Sequence, residues 1–140
     1  MNIPRFWREI RQRYKGIGAE CGNCNRVYFP PREICPECRR ESFGKMKERE
    51  LSGTGRVITY TQVHDPMPDF KMMVPYTMAI VEMDENVRIT GQLVDVDYER
   101  VEPGMKVNVT IRKLGEESPS GIIYYGYKFV PAREKLSDQQ

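Results

Sequence analysis

The sequence predicts a mainly β protein: a short N-terminal helix, a ribbon folded around one metal ion, and a small five-stranded barrel. Two observations carry this expectation. Four cysteines stand in two C-x-x-C pairs, Cys21/Cys24 and Cys35/Cys38, with ten residues between the pairs. Downstream of Gly53, apolar and polar residues alternate with a period of two, in runs separated by turn residues.

The cysteines come first because their spacing restricts the chemistry most. Two C-x-x-C knuckles bring four sulfurs within reach of a single tetrahedral ion, at about 2.3 Å from each sulfur. Gly22 and Asn25 suit the first knuckle, Asn25 because it tolerates a left-handed backbone, and Pro36 stiffens the second. Two disulfides would need an oxidising compartment, and the charged N-terminus has no apolar segment resembling a secretory signal. A redox motif accounts for one pair but not two. Iron in a rubredoxin-like site uses the same four ligands, yet zinc is the ordinary occupant of a closed four-cysteine ribbon. With all four thiolates consumed, no coordination position stays open for a substrate, so the expected role of the zinc is structural. Arg26, Arg39 and Arg40 lie beside the sulfurs and can offset the −2 charge of Zn²⁺ with four thiolates.

Residues 3–14 read as the helix. Phe6, Ile10 and Tyr14 recur at i, i+4 and i+8, Pro4 sits in the first turn, and Gly16 and Gly18 stop it. Its apolar stripe either packs on the ribbon or, with Trp7, meets a partner. Val27, Tyr28 and Phe29 form a short strand within the ribbon, and residues 44–52, highly charged, look like a linker. Five strands follow, over residues 55–64, 76–83, 86–94, 105–113 and 121–130. Turns are expected at Asp84-Glu85 and Pro103-Gly104, and Gly91 and Gly126 mark bends. Five strands with a longer break after the third match an OB-fold barrel, with an SH3-like barrel as the alternative. The resulting organisation is helix 1–18, rubredoxin-like zinc ribbon 19–50, OB-fold barrel 51–133 and flexible tail 134–140.

Charge and motifs narrow the function. Residues 1–50 hold 12 Lys/Arg against 7 Asp/Glu, and the remainder holds 10 against 13. The barrel half is therefore net −3 and repels a phosphate backbone, which weighs against single-stranded nucleic acid. Tyr124, Tyr125, Tyr127 and Phe129 keep that class in view, although one alternating set must face the core. No apolar run reaches the roughly 18 residues of a membrane span, and the expected location is the cytoplasm. No P-loop, dinucleotide fingerprint or nucleophile elbow is present. His64, the one histidine, and the carboxylates Asp95, Asp97, Glu99, Glu116 and Glu117 read more simply as surface polar groups than as acid–base machinery. The loop 65–75 between the first two barrel strands is unusually apolar for a loop, with three prolines, three methionines and Phe70. It either plugs the barrel or meets a ligand or partner.

Beyond the individual residues, a pattern resembles a family. The segments Cys21-Gly-Asn-Cys24, Val27-Tyr-Phe-Pro-Pro-Arg32, Cys35-Pro-Glu-Cys38 and Ser52-Gly-Thr-Gly-Arg-Val57 look like those of archaeal and bacterial zinc-ribbon/OB-fold proteins that accompany thiolases. Val74-Pro-Tyr76, Thr90-Gly-Gln-Leu93 and Pro103-Gly-Met-Lys-Val107 are similar to that family's barrel, so the resemblance runs over residues 3–131. One departure is the turn Asp84-Glu85-Asn86, where relatives often carry glycine; Asn can take the same backbone. The resemblance implies a non-catalytic scaffold, not an enzyme. It would join acetoacetyl-CoA thiolase to hydroxymethylglutaryl-CoA synthase in the mevalonate pathway, with the barrel touching acyl-CoA. Chemistry then nominates Arg32 for phosphate, and Phe70, Met72, Met73 and Tyr76 for the acyl-pantetheine arm or a partner.

Overall fold

A computed structural model of the chain describes residues 3–132, apart from the side chains of Ile3 and Asp69. The tail expected at 134–140 lies outside the described residues.

The N-terminal helix forms in two pieces, α1 (Ile3–Arg8) and α2 (Ile10–Lys15), which meet at Glu9 with φ −96° and ψ 9°. Hydrogen bonding continues across the joint, from Glu9 N–H back to Arg5 and from Arg13 N–H back to Glu9, so the break is a deflection. Glu9 holds it by taking Arg5 at 3.0 Å and Arg13 at 2.6 Å. Gly16 ends α2 in the left-handed region, as expected of a C-cap. Gly18 does not stop the helix; it already lies in β1 (Ile17–Cys21), where a Cβ would come within 2.6 Å of the Tyr28 carbonyl.

The ribbon is a three-stranded antiparallel sheet in the order β2 (Val27–Tyr28), β1, β3 (Met46–Glu50). The third strand corrects the reading of 44–52 as a linker. β3 pairs with β1 from Ile17 opposite Glu50 to Cys21 opposite Met46. It carries no apolar alternation because it is an exposed edge, where charge protects against pairing with another chain. Cross-element ion pairs, Arg11 with Glu48 at 2.7 Å and Arg49 with Glu20 at 3.4 Å, lie along it.

The barrel is closed and five-stranded, as expected, in the order β4 (Thr54–Val63), β5 (Tyr76–Met83), β6 (Arg88–Leu93), β8 (Ile123–Pro131), β7 (Lys106–Glu116). Val57, Val81, Val107 and Phe129 are fully buried at its centre, with Ala79, Met83, Ile89 and Leu93 around them. Gly91 is required there: a Cβ would lie 2.6 Å from the Phe129 ring.

One boundary and one burial pattern differ from the sequence reading. β7 runs on through Leu114, Gly115 and Glu116, which looked like loop, by way of a bulge between Lys113 and Gly115. The alternation on β8 also has a second buried face. Tyr124 and Lys128 are buried opposite Phe129 because α1 and α2 cover the outside of this strand. Phe6 stacks edge-on to Tyr124 at 5.0 Å. The helical stripe thus packs on the barrel and not only on the ribbon, while Trp7 points outward, 74% exposed.

Candidate metal centre and ligand groove

Both knuckles are built by the same local device. Asn25 N–H donates to the Cys21 carbonyl at 2.8 Å, and Arg39 N–H donates to the Cys35 carbonyl at 2.8 Å. Each donor follows the second cysteine of its pair and takes a left-handed backbone, with φ 57° at Asn25 and 48° at Arg39. Gly22 serves a different purpose from its expected turn role. A Cβ there would sit 2.8 Å from the Lys45 carbonyl, to which Gly22 N–H donates at 3.0 Å.

The four Sγ atoms of Cys21, Cys24, Cys35 and Cys38 all lie within 4.8 Å of one another, and Cys24 and Cys35 are 3.6 Å apart. Four thiolates about 2.3 Å from a central ion would stand about 3.8 Å apart. The cluster therefore fits a tetrahedral metal ion, and these four cysteines can bind one. Their electrostatics point the same way. The Tyr28 hydroxyl, 3.2 Å from the Cys35 sulfur, holds that thiol down to about 6. At Cys24 the Arg26 backbone N–H favours the thiolate, but desolvation and the sulfurs of Cys38 and Cys35 outweigh it and push the thiol up to about 12. The sulfurs thus resist carrying four like charges at once, and all four can ionise together only with a cation among them.

Groups around the sulfurs that the spacing alone did not reveal complete the centre. Tyr28 is one. Asn23 donates through Nδ2 to Cys38 at 3.2 Å and through its backbone to Cys21 at 3.5 Å. Ser42, fully buried, accepts from Cys35 N–H at 2.9 Å and donates to the Arg39 carbonyl at 2.6 Å. The signal was present for Tyr28 and Asn23, which are hydrogen-bonding residues within four positions of a ligand. Ser42, four residues past Cys38, stood equally near in sequence, but its contact is with Cys35, seven residues away. Arg26 pairs with Glu37 at 2.7 Å and so ties the first knuckle to the second. Arg39 and Arg40 instead border an apolar depression with Ile34, Pro36 and Phe43; Phe43 is 75% exposed.

The five residues nominated for a ligand or partner fall in different places. Phe70 and Tyr76 come together, with ring centroids 6.0 Å apart, and line a groove of about 290 Å³ on the barrel wall. Phe70 therefore lies against the wall and does not plug the barrel end. Met72 and Met73 belong to the same 3-10 turn, Pro68–Met73, and Met72 is 98% exposed. Arg32 is on the ribbon, its guanidinium 5.6 Å from the Tyr28 ring centroid. It borders a separate cavity that also involves Glu82, Glu85 and Arg88.

The remaining candidates are surface groups. His64 is exposed. Asp95 pairs with Arg112 at 2.8 Å, Asp97 with Arg100 at 3.7 Å and Glu116 with Lys113 at 2.6 Å, while Glu117 accepts from Tyr124. Of the four aromatics on β8, Tyr125 alone is exposed, so no run of rings is displayed for stacking bases. Among the described residues no helix is long and apolar enough to cross a membrane.

Comparison with known proteins gives consistent results. The model of the ChsH2 rubredoxin-like zinc ribbon domain matches residues 8–44, and that of the ChsH2 C-terminal OB-fold domain matches residues 48–112. A DUF35 domain-containing scaffold protein of Methanocaldococcus jannaschii is 49% identical over 129 residues, which is 92% of this chain and 90% of that protein. Benzoylsuccinyl-CoA thiolase subunit BbsA of Geobacter metallireducens is 28% identical over 113 residues, 79% of this chain and 72% of that subunit. Among solved structures, the Ltp2-ChsH2(DUF35) aldolase superposes with a TM-score of 0.69 at 29% identity, over 95% of this chain and 98% of that one.

Proposed function

The chain belongs to the family of DUF35 domain-containing scaffold proteins, and on that footing we propose that it is a non-catalytic cytoplasmic scaffold that docks a thiolase-type enzyme and touches the enzyme's acyl-CoA. The observation that carries this reading is the closed thiolate cluster beneath an exposed surface. All four sulfurs face one another, so the metal, which we take to be zinc, orders the ribbon and leaves no position for a substrate. What it orders is a patch where Ile34 and Phe43 stand exposed beside Arg39 and Arg40. Exposed apolar groups flanked by guanidinium groups suit a protein partner. Two relatives carry names that point to the kind of partner: a thiolase subunit, and a DUF35 chain named together with an aldolase. A second partner, of the hydroxymethylglutaryl-CoA synthase type, completes the scaffold. It would couple an unfavourable condensation to the following step of the mevalonate pathway.

Arg32, Phe70, Met72, Met73 and Tyr76 remain the nominated contacts. Phe70, Met72, Met73 and Tyr76 cluster on one side of the barrel, whereas Arg32 serves the ribbon side. The test is affinity capture from native extract with the tagged, metal-loaded chain, followed by mass spectrometry. A thiolase is expected in the captured fraction, and Phe43→Ala combined with Arg40→Ala is expected to lose it. Capture of no thiolase, together with no acetyl-CoA binding in a direct titration, removes the reading. Salt-sensitive binding of an oligothymidylate in place of acetyl-CoA would favour nucleic acid instead.

A further inference from the structure

β4 and β3 each leave a strand edge open, and the sequence treats the two edges in opposite ways. β4 pairs with β5 from Gly55 to Val63, but with β7 only from Thr54 to Arg56. Val57 ends that seam: its N–H donates to the Met105 carbonyl at 2.9 Å, and its carbonyl accepts from Gly104 N–H at 2.7 Å. A bulge between Val57 and Thr59 then resets the register with β5. Among the described residues, no main chain bonds to residues 58–63 on the side away from β5. The ladder tells which groups are left over. Asp84 N–H donates to the Thr54 carbonyl at 3.2 Å, and an antiparallel pair alternates bonded and non-bonded positions. Carried across the bulge, the alternation sets Thr59, Thr61 and Val63 to bond with β5. Tyr60 and Gln62 therefore turn their N–H and C=O groups to the open edge, where such groups seek partners.

On β3 the alternation is fixed by Gly22 N–H donating to the Lys45 carbonyl at 3.0 Å and Leu51 N–H donating to the Gly16 carbonyl at 3.2 Å. It turns Met46, Glu48 and Glu50 outward. Two copies pairing antiparallel must set outward-turned residues opposite one another. On β3 the central registers then place Glu48 against Glu48 with Lys47 against Arg49, or Glu48 against Glu50 with Arg49 against Arg49. Like charges directly opposite are destabilising, so this edge refuses its own copy. Residues 58–63 of β4, Ile-Thr-Tyr-Thr-Gln-Val, hold no charge, proline or glycine. Their β-branched and aromatic side chains suit a strand, and Thr59 and Thr61 are exposed. With Tyr60 set against the partner's Gln62, Thr61 meets the partner's Thr61 on the twofold axis and Thr59 meets the partner's Val63. This register lies clear of the bulge and opposes no charges, and threonine pairs across strands are favourable.

We propose that two copies of this chain pair antiparallel through residues 59–63 of β4, so that the β6-β5-β4 sheet continues across a twofold axis into that of the partner. A contact of this kind is the same patch on both copies and closes as a dimer. Strand pairing this short buries well under the roughly 800 Å² per partner of a standard interface, so the dimer is weak, with a Kd of about 10–100 µM. The pairing does not depend on the scaffold reading. Joined to it, a dimer carries two Phe43 patches and engages two subunits of a symmetric enzyme with avidity.

The test is sedimentation velocity of the full-length, metal-loaded chain up to about 1 mM, well above the expected Kd. The parent is expected to pass from monomer to dimer. Thr61→Lys puts like charges on the axis and is expected to weaken the dimer at least tenfold, with metal content and melting temperature as in the parent. Gln62→Pro removes an outward N–H and is expected to act in the same direction. An equimolar mixture of Thr61→Lys and Thr61→Glu is expected to regain the dimer, which a merely structural effect of either change would not produce. A parent that stays monomeric throughout overturns the pairing. A dimer that survives undiminished in both Thr61→Lys and Gln62→Pro belongs to another face and overturns it equally. No recovery in the mixture overturns the register in which Thr61 meets its own copy.

Discussion

At the scale of single residues, the metal centre depends on groups that are not ligands. Tyr28 holds Cys35 by one hydrogen bond, and the same contact, with burial, pushes the tyrosine itself up to about 12. A hydroxyl donating to a metal-bound thiolate draws off charge and orients the sulfur, and such partners commonly account for about ten- to a hundredfold in metal affinity. Tyr28→Phe keeps the ring against Arg32 and removes only the hydroxyl. It is expected to lower metal affinity by about tenfold to a hundredfold in a chelator competition, with the circular dichroism of the loaded protein unchanged. An unchanged affinity would reduce Tyr28 to a packing residue. The cysteines were legible in the sequence because ligand spacing is a rule of covalent reach. Nearness to a ligand marked Tyr28 and Ser42 as candidates, but their contacts with Cys35 were not legible, because these follow from how β2 and the turn after Cys38 fold back over the sulfurs.

At the scale of elements, what could be read from the sequence depended on whether a strand had one buried face. β4 to β6 each bury one face, their apolar residues alternate, and the pattern found them to within a few residues. β3 buries no face and its charges hid it. β8 buries two, so Tyr124 and Lys128 lay on the side the alternation assigned to solvent. The helix pair creates that second face, which makes its docking measurable. Tyr124 lies under Phe6 and donates to Glu117. Burial first, and the Glu117 carboxylate second, push its phenol up to about 12 from an ordinary 10. A folded value above the unfolded one means the neutral phenol stabilises the docked state. That contribution is complete below pH 10 and is lost as pH rises through 12. Alkaline titration is therefore expected to release the helices from β8 between about pH 10 and 12, followed by the fluorescence of Trp7, the one tryptophan in the chain. In Tyr124→Phe this step is expected to vanish. A release that persists in the variant would assign it to another group.

At the scale of the whole molecule, the ribbon and the barrel share a core. Phe29 of the ribbon meets Tyr127 of the barrel edge-on at 5.8 Å, and Val27 and Leu51 pack on the same buried cluster. The Ser52 backbone N–H also donates to Glu85 at 2.6 Å, fastening the connection to the turn between β5 and β6. A ribbon of this size cannot bury enough apolar surface to stand alone, so its folding free energy is largely that of metal binding. Because the barrel borrows Phe29, metal bound in the ribbon contributes to barrel stability by linkage. Chelation is expected to lower the melting temperature of the barrel as well as to unfold the ribbon. Phe29→Ala separates the two. Removing a half-buried ring should cost roughly 2 kcal/mol, and the barrel melting temperature should then no longer respond to chelation. If chelation leaves the parent's barrel transition unmoved, the two units are independent. Retained coupling in Phe29→Ala would instead place the linkage in Val27, Leu51 and the Ser52–Glu85 bond. The distinction matters for a scaffold, because a partner gripping the metal-ordered patch around Phe43 can influence a ligand on the barrel through this joint or through α2, which touches both β1 and β8.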